Sequence, residues 1–131
     1  MSEKRLYPRG SASLPAVVAD EDGFRYVTVA LNASSDGLCI QCDTAARNIF
    51  TPGGNFIRHG RPVELYVWLD LPNNGRLSAR CHITFSRRIA RDVCQIGMRY
   101  MDFDQEGYNK LLQFIESATS SNETCQDSAG T

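Results

Sequence analysis

The sequence predicts a mainly β fold, a small antiparallel barrel of six or seven strands with a C-terminal α-helix. Three observations point to it. Short runs rich in β-branched and aromatic residues recur between Gly-, Pro- and Asn-containing turns. Within those runs apolar residues alternate with polar ones, as strands with one buried face require. Only one segment, near the C-terminal end, shows a clear helical apolar stripe. The 131 residues suit one domain, and 42% hydrophobic with 22% charged residues is ordinary globular composition. No apolar run approaches the roughly 20 residues of a membrane-spanning helix, and Met1–Arg5 leads into Pro8-Arg9-Gly10 without the apolar stretch of a secretory signal. A cytoplasmic protein is expected.

Leu14–Val18 and Phe24–Leu31 flank Asp20-Glu21-Asp22-Gly23 and read as a hairpin around an acidic turn. Leu38–Cys42 is a third strand, with Leu38, Ile40 and Cys42 on one face and Cys39 and Gln41 on the other. From Thr44 to Arg61 the alternation breaks into a loop, with at most a helical turn at Ala45-Ala46-Arg47. Val63–Leu69 resumes it and ends at Pro72-Asn73-Asn74-Gly75, where Asn-Gly signals a tight turn. Arg76–Arg87 returns antiparallel, with Leu77, Ala79, Cys81, Ile83 and Phe85 on one face, and Val93–Phe103 is the last strand. Tyr66 and Trp68 are read as barrel packing. Asp104 is placed to cap a helix whose stripe is Tyr108, Leu111, Leu112 and Ile115. Residues 1–12 are expected to be a flexible leader, 13–116 the barrel and helix, and 117–131 a disordered tail of small polar residues. A barrel of this size fills its own interior, so a ligand is expected outside or at the rim.

The net charge of −1 gives the whole molecule no strong attraction for polyanions or anionic membranes. Its distribution is uneven. Residues 76–99 hold six arginines against Asp92 alone, whereas residues 100–131 hold six acids against Lys110. Five cysteines without an export signal read as reduced thiols. Cys39-Ile40-Gln41-Cys42, with Cys81, His82 and Cys94, has the composition of a zinc set, but positions i and i+3 of a strand face opposite ways, so no metal is expected. His59 and His82 lack an acid and nucleophile at suggestive spacing, which argues against an enzyme.

Two patterns remain. Arg5-Leu6-Tyr7-Pro8-Arg9 spaces two arginines four apart in the leader, a spacing that also recurs at Arg76/Arg80 and Arg87/Arg91. Asn32-Ala33-Ser34-Ser35-Asp36-Gly37 fits (Asp or Asn)-x-Ser-x-x-Gly, for which composition gives only about 0.1 chance occurrences. Read alone, this second motif is a polar turn with Gly37 at positive φ.

The order of these features, followed by Gly60–Leu65, an Arg-bearing hairpin and Gln95-Ile96-Gly97-Met98-Arg99-Tyr100, resembles the PilZ domain family over residues 4–116. PilZ domains are bacterial receptors for the second messenger cyclic di-GMP. The resemblance implies a stand-alone, non-enzymatic receptor or adaptor, without a cofactor, that regulates a partner protein in pathways such as motility or biofilm formation. It implies that Arg5 and Arg9 fold over the ligand, with Lys4 adding charge, since an Arg fork suits both phosphates and the guanine O6/N7 edge. Asn32 and Ser34 would meet guanine from a strand end, Gly37 would admit close approach, and Gly97 would border the ligand. Asn32 stands where a carboxylate would accept two guanine N–H bonds, which weakens one charge-assisted bond by on the order of 1 kcal/mol. Two rivals keep the barrel: a nucleotide-independent protein-interaction module, and a small RNA- or single-strand-binding barrel suggested by the arginine-rich stretch. Net charge and the lack of basic–aromatic interleaving disfavour nucleic acid.

Overall fold

The computed structural model describes residues 13–128. Eight strands and two helices follow in the order β1 (Leu14–Ala19), β2 (Arg25–Ala33), β3 (Gly37–Cys42), α1 (Thr44–Phe50), β4 (Ile57–Arg58), β5 (Arg61–Pro62), β6 (Glu64–Leu71), β7 (Gly75–Ala90), β8 (Val93–Phe103) and α2 (Gly107–Ser128). Six strands close an antiparallel barrel in the order β1-β2-β3-β8-β7-β6, with β6 returning to β1, and β4 and β5 form a separate two-stranded ribbon. Closure pairs every long strand on both sides, which removes exposed sheet edges.

The alternation seen in the sequence fills the interior. Val18, Ile40, Leu65, Val67, Leu69, Leu77, Cys81, Ile83 and Ile96 are essentially inaccessible to solvent. At one end α1 acts as a plug. Asp43 caps it by accepting from Ala46 N at 2.8 Å, and Phe50 is fully buried against Phe24 and Tyr26. The Arg47 guanidinium ties the plug to β7 through Ser86 Oγ at 2.8 Å. At the other end of β7, α2 buries Leu111 and Phe114, and Lys110 Nζ donates to the Arg76 carbonyl.

Several expectations give way. The loop from Thr44 contains a seven-residue helix rather than a single turn. Tyr66 and Trp68 face outward, because Leu65, Val67, Leu69 and Leu71 take the inner positions of β6; the Arg25 guanidinium lies over the Trp68 ring at 4.9 Å. The β6–β7 turn is centred two residues earlier than Asn-Gly implies. Pro72 and Asn73 are its central pair, Asn73 carries the positive φ of 65°, and Asn74 N donates to the Leu71 carbonyl, as a type II turn demands. The Asp104 carboxylate, lying against Gly107 at the start of α2, accepts from Ser78 N of β7 at 3.2 Å. On α2 Tyr108 is exposed and Phe114 takes the buried place. Helix α2 runs from Gly107 to Ser128, a stretch with neither Gly nor Pro after Gly107 to stop it.

Two register shifts matter most. Between Ala30 and Asn32 the β2–β3 pairing advances two residues on β2 against one on β3, leaving Leu31 as the extra residue. Between Ile83 and Phe85 the β7–β8 pairing does the same, with Thr84 extra. A bulge of one residue exchanges inner and outer faces for everything beyond it. Ala30 is fully buried, so uninterrupted alternation would turn Asn32 into the core; instead it pairs with outward Cys39 and is exposed. Phe85, expected inside with Ile83, is likewise moved to the outer face opposite Gly97.

Candidate functional site

The two bulges produce one transverse row on the barrel exterior. Asn32 pairs with Cys39, Cys39 with Gly97, and Gly97 with Phe85, so four strands contribute neighbouring outward positions. At about 4.8 Å per strand the row spans about 14 Å. The next outward row holds Gln41, Gln95 and Arg87. Over these rows lies an open groove of about 450 Å³ whose lining includes Asn32, Ser34, Gly37, Gly97, Phe85, Arg87 and both bulge residues, Leu31 and Thr84.

The structure therefore brings Asn32, Ser34, Gly37 and Gly97 together, although Gly97 lies about 60 residues away in sequence. Lys4, Arg5 and Arg9 fall outside the described residues. Within the turn, Ser34 Oγ accepts from Asp36 N at 3.1 Å and Gly37 N at 3.2 Å and lies 3.2 Å from the Gly37 carbonyl, to which it donates. The serine shapes the corner that carries Asn32, while Asn32 stays exposed at its edge.

The two glycines are explained by the barrel itself. Gly37 is extended in β3, without the positive φ a turn glycine would show. A Cβ there would lie 2.0 Å from the Met98 carbonyl oxygen, so only glycine lets β3 approach β8 this closely. A Cβ on Gly97 would lie 2.1 Å from the Phe85 ring, which rests on the bare backbone of β8. That ring in turn supports Arg87, whose guanidinium lies over it at 5.0 Å and donates to Gln95 Oε1 at 3.1 Å. Burial pushes the Cys39 thiol up to about 11, with the Arg87 charge pulling the other way. Phe85, Arg87 and Gln95 were not anticipated as site residues. The apolar alternation runs on through Phe85 in the sequence, and no periodicity rule locates a bulge.

Among the described residues the cysteines Cys39, Cys42, Cys81 and Cys94 are all free thiols. Cys42 and Cys94 pair across β3 and β8 and are both buried, whereas Cys39 belongs to the outer row. Burial pushes the Cys42 and Cys81 thiols up to about 12.

A second depression, of about 390 Å³, lies beside the β4–β5 ribbon. Its centre is Glu64, which accepts from Arg80 Nη1 at 2.9 Å and the Tyr66 hydroxyl at 3.0 Å, with His82 Nε2 at 3.2 Å. Burial works to raise the Glu64 carboxyl, but these hydrogen bonds outweigh it and hold the group below its usual range. Arg76 is paired with Asp70 at 2.8 Å, so two arginines of the 76–99 stretch are neutralised by carboxylates and the stretch forms no continuous basic face.

The PilZ domain family model matches residues 3–117. The chain belongs to the PilZ domain family. No curated protein sequence matches it. Among solved structures, the PilZ chain resembles the Bacillus subtilis inhibitor of motility MotI/DgrA (TM-score 0.60, 15% identity, 84% of this chain and 48% of that one). It also resembles MrkH of K. pneumonia, in a structure of the MrkH–c-di-GMP complex (TM-score 0.65, 12% identity, 91% of this chain and 52% of that one). The PilZ domain of CeSA from a cellulose-synthesizing bacterium aligns over 82% of this chain and 93% of its own length, with TM-score 0.53 and 15% identity. The chain spans about half the length of MotI and MrkH. At these identities the likeness concerns the barrel. PilZ proteins are binding or regulatory modules, and no helix among the described residues is long and apolar enough to cross a membrane.

Proposed function

We propose that this PilZ domain is a cyclic di-GMP receptor that regulates a partner protein, with the nucleotide seated in the bulge-built groove. The observation that carries this reading is the convergence of Asn32, Ser34 and Gly37 with Gly97 in one exterior depression of a PilZ barrel. Cyclic di-GMP offers two guanines and two phosphates on a ring of charge −2. Asn32, exposed at the corner, presents an amide able to donate and accept at a guanine edge, and Ser34 fixes the corner's shape. Arg5 and Arg9 close over the nucleotide from the chain's first residues, and Lys4 adds charge. Ordering that segment changes the surface shown to a partner, and the ligand's preference for the closed arrangement supplies the free energy.

Calorimetric titration with cyclic di-GMP tests this. Wild type binds, and Arg5→Ala and Arg9→Ala each weaken binding by about tenfold or more, the worth of a charge-assisted hydrogen bond. Equal affinity in all three proteins would refute the roles of the arginines. No binding by wild type would refute the receptor reading and favour a nucleotide-independent interaction module.

A further inference from the structure

We propose that Arg87 is an additional ligand-binding residue, holding a phosphate of the nucleotide from the rim of the groove opposite Asn32. The inference rests on the receptor reading above and adds a contact outside the two sequence motifs.

Arg87 is the only arginine or lysine lining the groove among the described residues, and no Asp or Glu lines it. A dianionic ligand there meets one fixed positive charge and no opposing carboxylate. The surroundings of Arg87 differ from those of Arg76 and Arg80, whose guanidinium groups are already held by Asp70 and Glu64. Among the described residues Arg87 is held by neutral groups alone, an aromatic face at 5.0 Å and an amide oxygen at 3.1 Å. Those contacts set its direction without cancelling its charge. The remaining N–H donors of the fork are left for a phosphate, the acceptor whose geometry matches them.

Preorganisation strengthens the argument. The Thr84 bulge turns Phe85 and Arg87 outward, Phe85 rests on Gly97, and Arg87 rests on Phe85. A long side chain already braced in this way loses less conformational freedom on binding than a free one. The Arg87 charge also reaches the groove floor, where it opposes the burial effect on Cys39.

The test is titration of cyclic di-GMP, by calorimetry and by ³¹P NMR, into wild type, Arg87→Gln, Arg87→Lys and Arg88→Gln. Arg88 is the neighbouring exposed arginine, bonded to the Ala90 carbonyl and absent from the groove, so its substitution makes the same change in net charge elsewhere. Arg87→Gln should weaken binding about tenfold or more and diminish the ³¹P shift change on binding. Arg87→Lys should recover part of the affinity, and Arg88→Gln should match wild type. A purely structural role for Arg87 would instead lower thermal stability and weaken binding to the same extent in Arg87→Gln and Arg87→Lys, which would also overturn the inference. Wild-type affinity in Arg87→Gln, or equal losses in Arg87→Gln and Arg88→Gln, would overturn the inference while leaving the receptor reading in place. Failure of wild type to bind would overturn both.

Discussion

Two depressions of the barrel, the ribbon cleft and the bulge groove, differ in how their charges are used. In the cleft beside the β4–β5 ribbon, Glu64 gathers Arg80, His82 and Tyr66 around one carboxylate, and the arginines Arg58, Arg61 and Arg80 are matched in number by Asp20, Glu21 and Glu64. In the groove above Gly97, Arg87 has, among the described residues, a ring and an amide for company. The cleft is the more enclosed and the richer in ionisable groups, yet its central charges are satisfied internally. The groove is shallower, and among the described residues its one charge has no carboxylate beside it. On the proposed reading, that charge rather than enclosure is what an anionic ligand meets.

The comparison can be broken most severely at Gly37. An alanine there drives its Cβ into the Met98 carbonyl, and backbone cannot yield as a side chain can. Gly37→Ala should cost about 3 kcal/mol or more in denaturant unfolding. A loss below about 1 kcal/mol would show that β3 and β8 separate easily and that the groove floor is soft. Gly97→Ala should cost less, about 1–2 kcal/mol, because the Phe85 ring can swing aside. Its sharper effect should be on the groove: with Phe85 displaced, Arg87 loses its support and cyclic di-GMP affinity falls although the fold survives. Unchanged affinity in a folded Gly97→Ala protein would detach the Phe85–Arg87 stack from binding.

A smaller effect is expected in the cleft. The Glu64 carboxyl is held below its usual value when folded, so its contribution to stability is fully present above the unfolded-state pKa of about 4.3 and is lost as pH falls through the lower folded value. Glu64→Gln should lower the thermal midpoint at pH 7 by a few degrees, and the gap from wild type should close below about pH 4. Nucleotide affinity at pH 7 should be unchanged, since Glu64 lies outside the groove. A midpoint gap that persists at low pH would remove the carboxylate as its cause. The smallest effect concerns the thiols. With Cys39 raised to about 11 and Cys42 and Cys81 to about 12, alkylation of the folded protein at pH 8 should be slow at all three and fast after denaturation. Rapid labelling of Cys39 alone would reveal a groove floor that opens.

Most of the barrel is legible in the sequence because its strands obey period two. Leu38/Ile40/Cys42 and Leu77/Ala79/Cys81/Ile83 were assigned to the core by alternation and are found there. The same rule fails at Phe85, since one extra residue at Thr84 moves it to the outer face. Bulges are fixed by how two distant strands meet, and a single strand's pattern does not encode its partner's register. Asn32 was anticipated as exposed through its motif, without the Leu31 bulge that exposes it. Gly37 and Gly97 were assigned to ligand approach, whereas their nearest demands are the β8 backbone and the Phe85 ring. Asp104 satisfied every local rule for a helix cap, but Ser78 N, 26 positions earlier, takes its carboxylate. Local chemistry proposes a partner, and tertiary contact chooses it.

The central claim is that the groove raised by the Leu31 and Thr84 bulges receives the nucleotide. Amide NMR titration with cyclic di-GMP at near-neutral pH tests it most directly. Perturbations should centre on Asn32–Gly37, Phe85–Arg87, Gln95 and Gly97, with Arg58–Glu64 and Arg80–His82 unmoved. Shifts concentrated around Glu64 and His82, with the groove silent, would contradict the account.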